Sequence, residues 1–234
     1  KIISGYTKSC LNISKNFYQK IFKKTYSVTN TKTAEFTKLM ENIYRSVNIG
    51  LVNEMKIVAN LMNIDIFEVI KAASTKPFGF KPFIPGPGMG GHCIPIDPFY
   101  MSWKSKKLGY EPIFIKNSGI INSRIPAWTV NQILSNPLVN VLKKEDLNFL
   151  ILGVAYKKNL NDTRESPALE IMNILKKKNI SFDYHDPHIN KLKVTRKFKF
   201  NMLSKKLSSK NLKKYTGSIL VTDHDKINYN KVIK

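Results

Sequence analysis

From Thr31 onward, Phe36, Leu39, Met40, Ile43, Tyr44, Val47, Leu51, Met55 and Val58 recur at spacings of three and four. That period predicts one long amphipathic helix, and it constrains the fold more than any other feature of the chain. Gly50 is the only breaker inside it, and a long helix tolerates one glycine at modest cost. A second helix is expected near Ile66–Ala73. After it comes a loop rich in Pro and Gly, residues 75–98, ending in a sharp helix start at Asp97-Pro98. Further helices are expected over Pro98–Leu108, stopped by Gly109, and over Lys116–Leu134, where Pro126 marks a start, a kink or a break. Residues 31–136 thus read as an all-helical domain around one loop.

The period then changes. Asn148 to Gly153 is a short apolar run ending in Gly, which suits a buried parallel strand. A helix follows at Ser166–Lys178 with Pro167 in its first turn, then a strand at Ile180–Tyr184, a turn at Asp186-Pro187 and a last strand at Ser218–Thr222. Strand, helix and strand at this spacing predict a Rossmann-like parallel α/β domain over residues 146–234, with the boundary in the polar segment Asn136–Asp146. Residues 1–30 read as strand (Lys1–Ser4), helix (Ser9–Phe22) and strand (Tyr26–Val28), the tail of a preceding domain. The fold class is therefore α/β: a helical central domain followed by a parallel α/β domain.

A formal charge of +23 invites a nucleic-acid reading. The lysines, however, are scattered over the whole length rather than gathered with Arg and aromatic residues on one face, so no specific nucleic-acid partner is expected. Lys176 to Lys178 reads as a solvated helix end, and Lys191 to Lys199 as a surface connection. No apolar run approaches the roughly 18 residues of a membrane span. Two cysteines, Cys10 and Cys93, make no disulfide framework, and with no signal-peptide pattern the chain is expected to be cytoplasmic.

Gly86, Gly88 and Gly91 spell G-x-G-x-x-G, but no strand precedes them and prolines interrupt them, so the dinucleotide reading is rejected. What remains is a backbone kept free of side chains around Cys93, which permits close approach of a ligand at Gly90 and Gly91. Cys93 precedes a helix N-terminus, where amide dipoles favour a thiolate nucleophile; a small buried hydrophobe is the other reading of a lone Cys. Asp97 reads as an N-cap or as a partner of Cys93. His92 reads as a loop-fixing residue, since neighbouring side chains point apart. His185, Asp186 and His188 resemble a metal set, but Asp186-Pro187 reads as a turn and no metal is assigned.

Gly90-Gly91-His92-Cys93-Ile94-Pro95-Ile96-Asp97-Pro98 resembles the active-site motif of the UDP-glucose/GDP-mannose dehydrogenase family, in the form of its UDP-N-acetylhexosamine 6-dehydrogenase branch. Ala34-Glu35-Phe36-Thr37-Lys38-Leu39-Met40-Glu41-Asn42 resembles the family helix that carries a catalytic Lys and Asn. Gly153 to Pro167, with Lys157, Asp162, Arg164 and Glu165, resembles its C-terminal signature. The resemblance implies an NAD-dependent oxidation of the C6 alcohol of a UDP-sugar to the carboxylate, for surface polysaccharide precursors. It implies that Cys93 is the thiol nucleophile, that Lys38 stabilises the oxyanion with the catalytic Asn42 on the same helix face, and that Asp97 assists proton transfer or positions the hydrolytic water. It further implies substrate contacts at Gly90, Gly91 and Lys157, and a cofactor contact at Arg164, with a role in holding the turn as the alternative. A homodimer through the central helices is implied, using Phe36, Ile43, Val47 and Leu51. Residues 146–234 become the UDP-sugar-binding domain, and residues 1–30 a remnant of the NAD-binding Rossmann domain. Both ends are expected to be truncated, and a non-catalytic fragment that dimerises and binds UDP-sugar is the alternative.

Overall fold

The computed structural model describes residues 1–233. At the start, β1 (Ile2–Ile3) lies parallel to β2 (Tyr26–Ser27), joined by α1 (Lys8–Gln19). The Thr7 side chain caps α1 by accepting from the Cys10 amide, and none of the residues of α1 is buried.

The long helix α2 (Thr31–Leu61) is continuous through Gly50 and is capped by Asn30. The stripe it buries is not the apolar one. Asn42, Ser46, Gly50 and Asn53 are buried, whereas Phe36 and Leu51 are 55% and 51% exposed. The reason is the crossing with α5. A Cβ on Gly50 would lie 3.0 Å from the Ser118 Cβ, so glycine is what lets the two helices approach. Gly50 is therefore a packing requirement rather than a tolerated breaker.

After α3 (Ile66–Ala73), residues 74–96 form no helix or strand, α4 spans Asp97–Lys107 and α5 spans Ile113–Leu134. Pro126 neither starts nor breaks α5; it is buried inside a continuous helix. The short α6 (Pro137–Asn140) and one 3-10 turn (Lys144–Asp146) lead into the second domain.

That domain holds β3 (Asn148–Leu152), α7 (Pro167–Lys177), β4 (Ser181–His185), β5 (Lys191–Leu192), β6 (Met202–Leu203), α8 (Ser209–Leu212), β7 (Gly217–Leu220) and α9 (Tyr229–Ile233). The sheet order is β4-β3-β7, all parallel, with Ile151 opposite Tyr184 and Ile219. Phe149 to Leu152 are at most 2% exposed, as a central strand covered on both faces requires. Ser166, itself buried, caps α7 through the Ala168 amide, and Pro167 occupies the first helical position.

Lys191 to Lys199 is more than a surface connection. It contributes β5 of an antiparallel hairpin with β6, and Leu192 and Phe198 enter the core together with Phe200. Lys197-Phe198-Lys199-Phe200 alternates exposed and buried, a period of two that the density of lysines obscures.

Tyr184 on β4 has no exposed surface. Burial, ahead of any partner, pushes its phenol up to about 12. An acid whose folded value is raised keeps its proton where the unfolded chain has already lost it, so its contribution to stability is complete below about pH 10 and declines toward about pH 12. Urea midpoints measured from pH 8 to 12 are expected to fall from about pH 10 onward, and Tyr184→Phe is expected to flatten that fall. An equal fall in the variant would remove Tyr184 as its cause.

Candidate active site

Three segments converge: the first half of α2, the loop before α4, and residues 153–167 after β3. On α2, Lys38 and Asn42 are one turn apart and share a face. Lys38 Nζ lies 3.4 Å from Asn42 Oδ1 and 3.4 Å from Glu41 Oε2. Asn42 is fully buried and donates from Nδ2 to Asp97 Oδ2 at 2.6 Å. Arg45, which sequence reasoning passed over, donates to Asn42 Oδ1 as well. Two donor-only cations on one side and a carboxylate on the other fix the orientation of the Asn42 amide.

Asp97 is the first residue of α4, but its side chain is not a cap. Ile96 stands at the N-cap position without a side-chain hydrogen bond, and the Asp97 carboxylate turns back to Asn42. The carbonyl of Cys93 accepts from the amides of Ile96 and Asp97 at 3.2 and 2.8 Å, so Cys93 sits on the tight turn that starts the helix. Cys93 is exposed, which excludes the buried-hydrophobe reading.

Gly90 and Gly91 serve contacts within the chain. A Cβ on Gly90 would lie 2.9 Å from the Glu165 carbonyl oxygen and from the Tyr156 Cβ; one on Gly91, where φ is +94°, would lie 2.8 Å from the Tyr156 ring. The Gly91 amide donates to the Arg164 carbonyl at 3.2 Å. The close approach that these glycines permit is thus made, in this structure, by the second domain.

Arg164 binds Asp162, with Nη2 2.6 Å from Oδ2. That bond, ahead of other effects, raises Arg164 further above its usual value, and the Cys93 thiol is close enough to contribute. Its counterpart lowers Asp162, chiefly through Arg164 and in small part through His92. Arg164 therefore remains a cation, paired with Asp162 and largely open to solvent. Lys157 is exposed on the same segment. Glu165 accepts from Lys197 at 3.2 Å, and Lys197 also reaches Glu170 at 2.6 Å. Behind the loop, Met89, Pro95, Phe99, Pro126, Pro167 and Lys197 help to line a cleft of about 240 Å³.

The segment 153–167 is held by a buried carboxylate that the sequence disclosed only as a turn. Asp186 Oδ2 accepts from the amides of Val154 and Ala155 at 2.7 and 3.0 Å, and Oδ1 accepts from those of His188 and Ile189 at 2.8 and 3.0 Å. His224 lies 3.0 Å from Asp186 Oδ2 through Nε2. Its Nδ1 accepts the Asn159 amide at 2.8 Å, so Nε2 carries the proton that is donated to Asp186. The histidine thus ties the ends of β7 and β4 to the signature segment at Asn159.

The fold and site define a two-domain α/β protein in which a helical domain carrying Lys38, Asn42, Asp97 and the exposed Cys93 meets a parallel α/β domain. The family models agree. Residues 32–124 match the central domain, and residues 150–234 the UDP binding domain, of the UDP-glucose/GDP-mannose dehydrogenase family. The chain belongs to that family. It is 35% identical over 190 residues to UDP-N-acetyl-D-mannosamine dehydrogenase of Methanococcus vannielii, a match covering 81% of this chain and 43% of that protein. It is 35% identical over 191 residues to UDP-N-acetyl-D-glucosamine 6-dehydrogenase of Pseudomonas aeruginosa, covering 81% of this chain and 45% of that protein. The solved structure of a UDP-D-ManNAc dehydrogenase from Pyrococcus horikoshii superposes with a TM-score of 0.83 at 29% identity, over 99% of this chain and 52% of that one. The chain thus spans about half the length of the relatives it matches.

Proposed function

We propose that this chain carries the thiol and the UDP-sugar-binding domain of an NAD-dependent UDP-N-acetylhexosamine 6-dehydrogenase. The observation that carries the reading is the 2.6 Å bond from Asn42 to Asp97, which joins the α2 pair to the turn bearing Cys93 across 55 residues of sequence. The names of the similar proteins supply the substrate class.

The proposed reaction takes the C6 alcohol and water to a carboxylate, with loss of two hydrides and three protons. NAD, when bound, accepts the hydrides, one per molecule. Cys93 attacks the C6 aldehyde as a thiolate and forms a C–S bond, giving a thiohemiacetal whose carbon gives up the second hydride. Water then hydrolyses the thioester, releasing the uronate and the thiol. Lys38 holds the negative charge that develops on the C6 oxygen. Asn42 orients Asp97, and the carboxylate accepts the proton of the attacking water. Lys157 takes the diphosphate, with the loop backbone at Gly90 and Gly91 alongside. Arg164, an exposed cation on the segment that touches the cysteine loop at Gly91, would hold the pyrophosphate of NAD.

The same reading places a homodimer contact on α2, where Phe36 and Leu51 stay exposed while Ile43 and Val47 are half-buried. It places the enzyme in the cytoplasm, where thiols such as Cys10 and Cys93 stay reduced. No helix among the described residues is long and apolar enough to cross a membrane.

Calorimetric titration with UDP and with a UDP-N-acetylhexosamine tests the binding half of the proposal. Both ligands are expected to bind, and Lys157→Ala is expected to weaken each by about tenfold, the worth of one lysine–phosphate contact. Binding of neither ligand, or binding indifferent to Lys157, would count against the assignment.

A further inference from the structure

Two buried asparagines form a chain of hydrogen bonds from α5 to the cysteine loop. Asn122 on α5 is 5% exposed and donates from Nδ2 to the Ser46 carbonyl at 3.2 Å. Its Oδ1 accepts from Asn53 Nδ2 at 3.0 Å, and Asn53, fully buried, accepts the Gly86 amide on Oδ1 at 3.0 Å. Both ends are backbone groups with fixed roles, a carbonyl that only accepts and an N–H that only donates. The direction of every bond between them is therefore determined, and neither side-chain amide is free to flip.

Helices α2 and α5 could pack through apolar residues without burying two amides, and burial of amides costs free energy unless every bond is made. What the pair adds is a hold on Gly86, which lies in the same loop as Cys93. The loop is tied at Gly86 by Asn53, at Gly91 by the Arg164 carbonyl, and at Asp97 by Asn42. Asn122 Nδ2 also lies 4.0 Å from Met89 Sδ, a second touch on the same loop.

We propose that Asn53 and Asn122 are positioning residues for Cys93: they set the Gly86 end of the loop as Asn42 sets its Asp97 end. The functional meaning rests on Cys93 being the nucleophile, but the anchoring is measurable without turnover, so the two ideas fail separately.

Amide hydrogen exchange on the whole chain, resolved by NMR, tests it. In Asn53→Leu, exchange at Gly91, five residues beyond the lost bond, is expected to rise about tenfold, while amides in the middle of α2 and α5 stay as in the wild type. Should the leucine variant fail to fold, Asn122→Leu, which leaves the Gly86 acceptor in place but free to rotate, is expected to raise Gly91 exchange by at least about threefold. A rise below threefold in the variant that folds overturns the proposal. So does loosening of α2 and α5 as large as that at Gly91, which would mark the pair as helix packing alone.

Discussion

Asp186→Ala is expected to unfold the second domain while the helical domain stays folded. The substitution strands five donors at once: the amides of Val154, Ala155, His188 and Ile189, and Nε2 of His224. All of them lie at the C-terminal end of the sheet, around an aspartate that is 1% exposed. Leaving one buried donor unsatisfied costs about 1–3 kcal/mol, so five together rival the roughly 5–15 kcal/mol that holds an ordinary domain. Trp128 packs under Lys56 of α2 and Trp103 under Lys107 of α4, so their fluorescence reports chiefly on the helical domain, although Val130 of α5 enters the core of the second domain. The expected result is rapid proteolysis after about residue 146 with tryptophan emission unchanged. Urea unfolding of the second domain within about 1 kcal/mol of the wild type would mean that water replaces the carboxylate, and that Asp186 is not the hub described.

Cys93→Ala is expected to lower turnover of the complete enzyme by at least about a thousandfold, with little change in the affinity for UDP-sugar. The thiol is exposed at the surface of a turn, so its removal leaves no cavity and no unpaired buried group. Folding should be untouched. What is lost is the covalent hold on the aldehyde carbon, and with it the second hydride transfer. Asn42→Ala provides a graded comparison. It frees Asp97, whose carboxylate is held by the 2.6 Å bond, and strands Arg45, so a smaller loss of turnover is expected, on the order of tenfold to a hundredfold. Equal losses in the two variants would argue that the cysteine acts only as part of the scaffold.

The sequence made some of this legible and concealed the rest for physical reasons. β3 stands out because a central parallel strand is apolar throughout, and α7 because Ser166-Pro167 is a helix start in any setting. Cys93 stands out by its glycine-rich turn before a helix start, whereas Lys38 and Asn42 stand out only by resemblance in motif; periodicity alone leaves Lys38 among many solvated lysines. The period of α2 gave its length but not its buried face. Asn42, Ser46, Gly50 and Asn53 face inward because α5 crosses there, and a helical wheel cannot know its neighbour. Asp97 looked like a cap because Asp before Pro usually is one, yet Asn42 from a distant helix claims its carboxylate. Asp186 behaved as the turn residue it resembled, accepting from His188 and Ile189, while its second oxygen gathers partners separated by about 30 to 40 residues. Such long-range bonds leave no local pattern to read.

The most direct test of the central claim counts NADH formed for each UDP-N-acetylhexosamine consumed. The chain is supplied with the NAD-binding half of a relative and run beside Cys93→Ala. The proposed chemistry predicts two NADH per uronate in the wild type and no measurable turnover in the variant. One NADH per sugar, or turnover that survives without Cys93, would contradict the thiol-based four-electron oxidation.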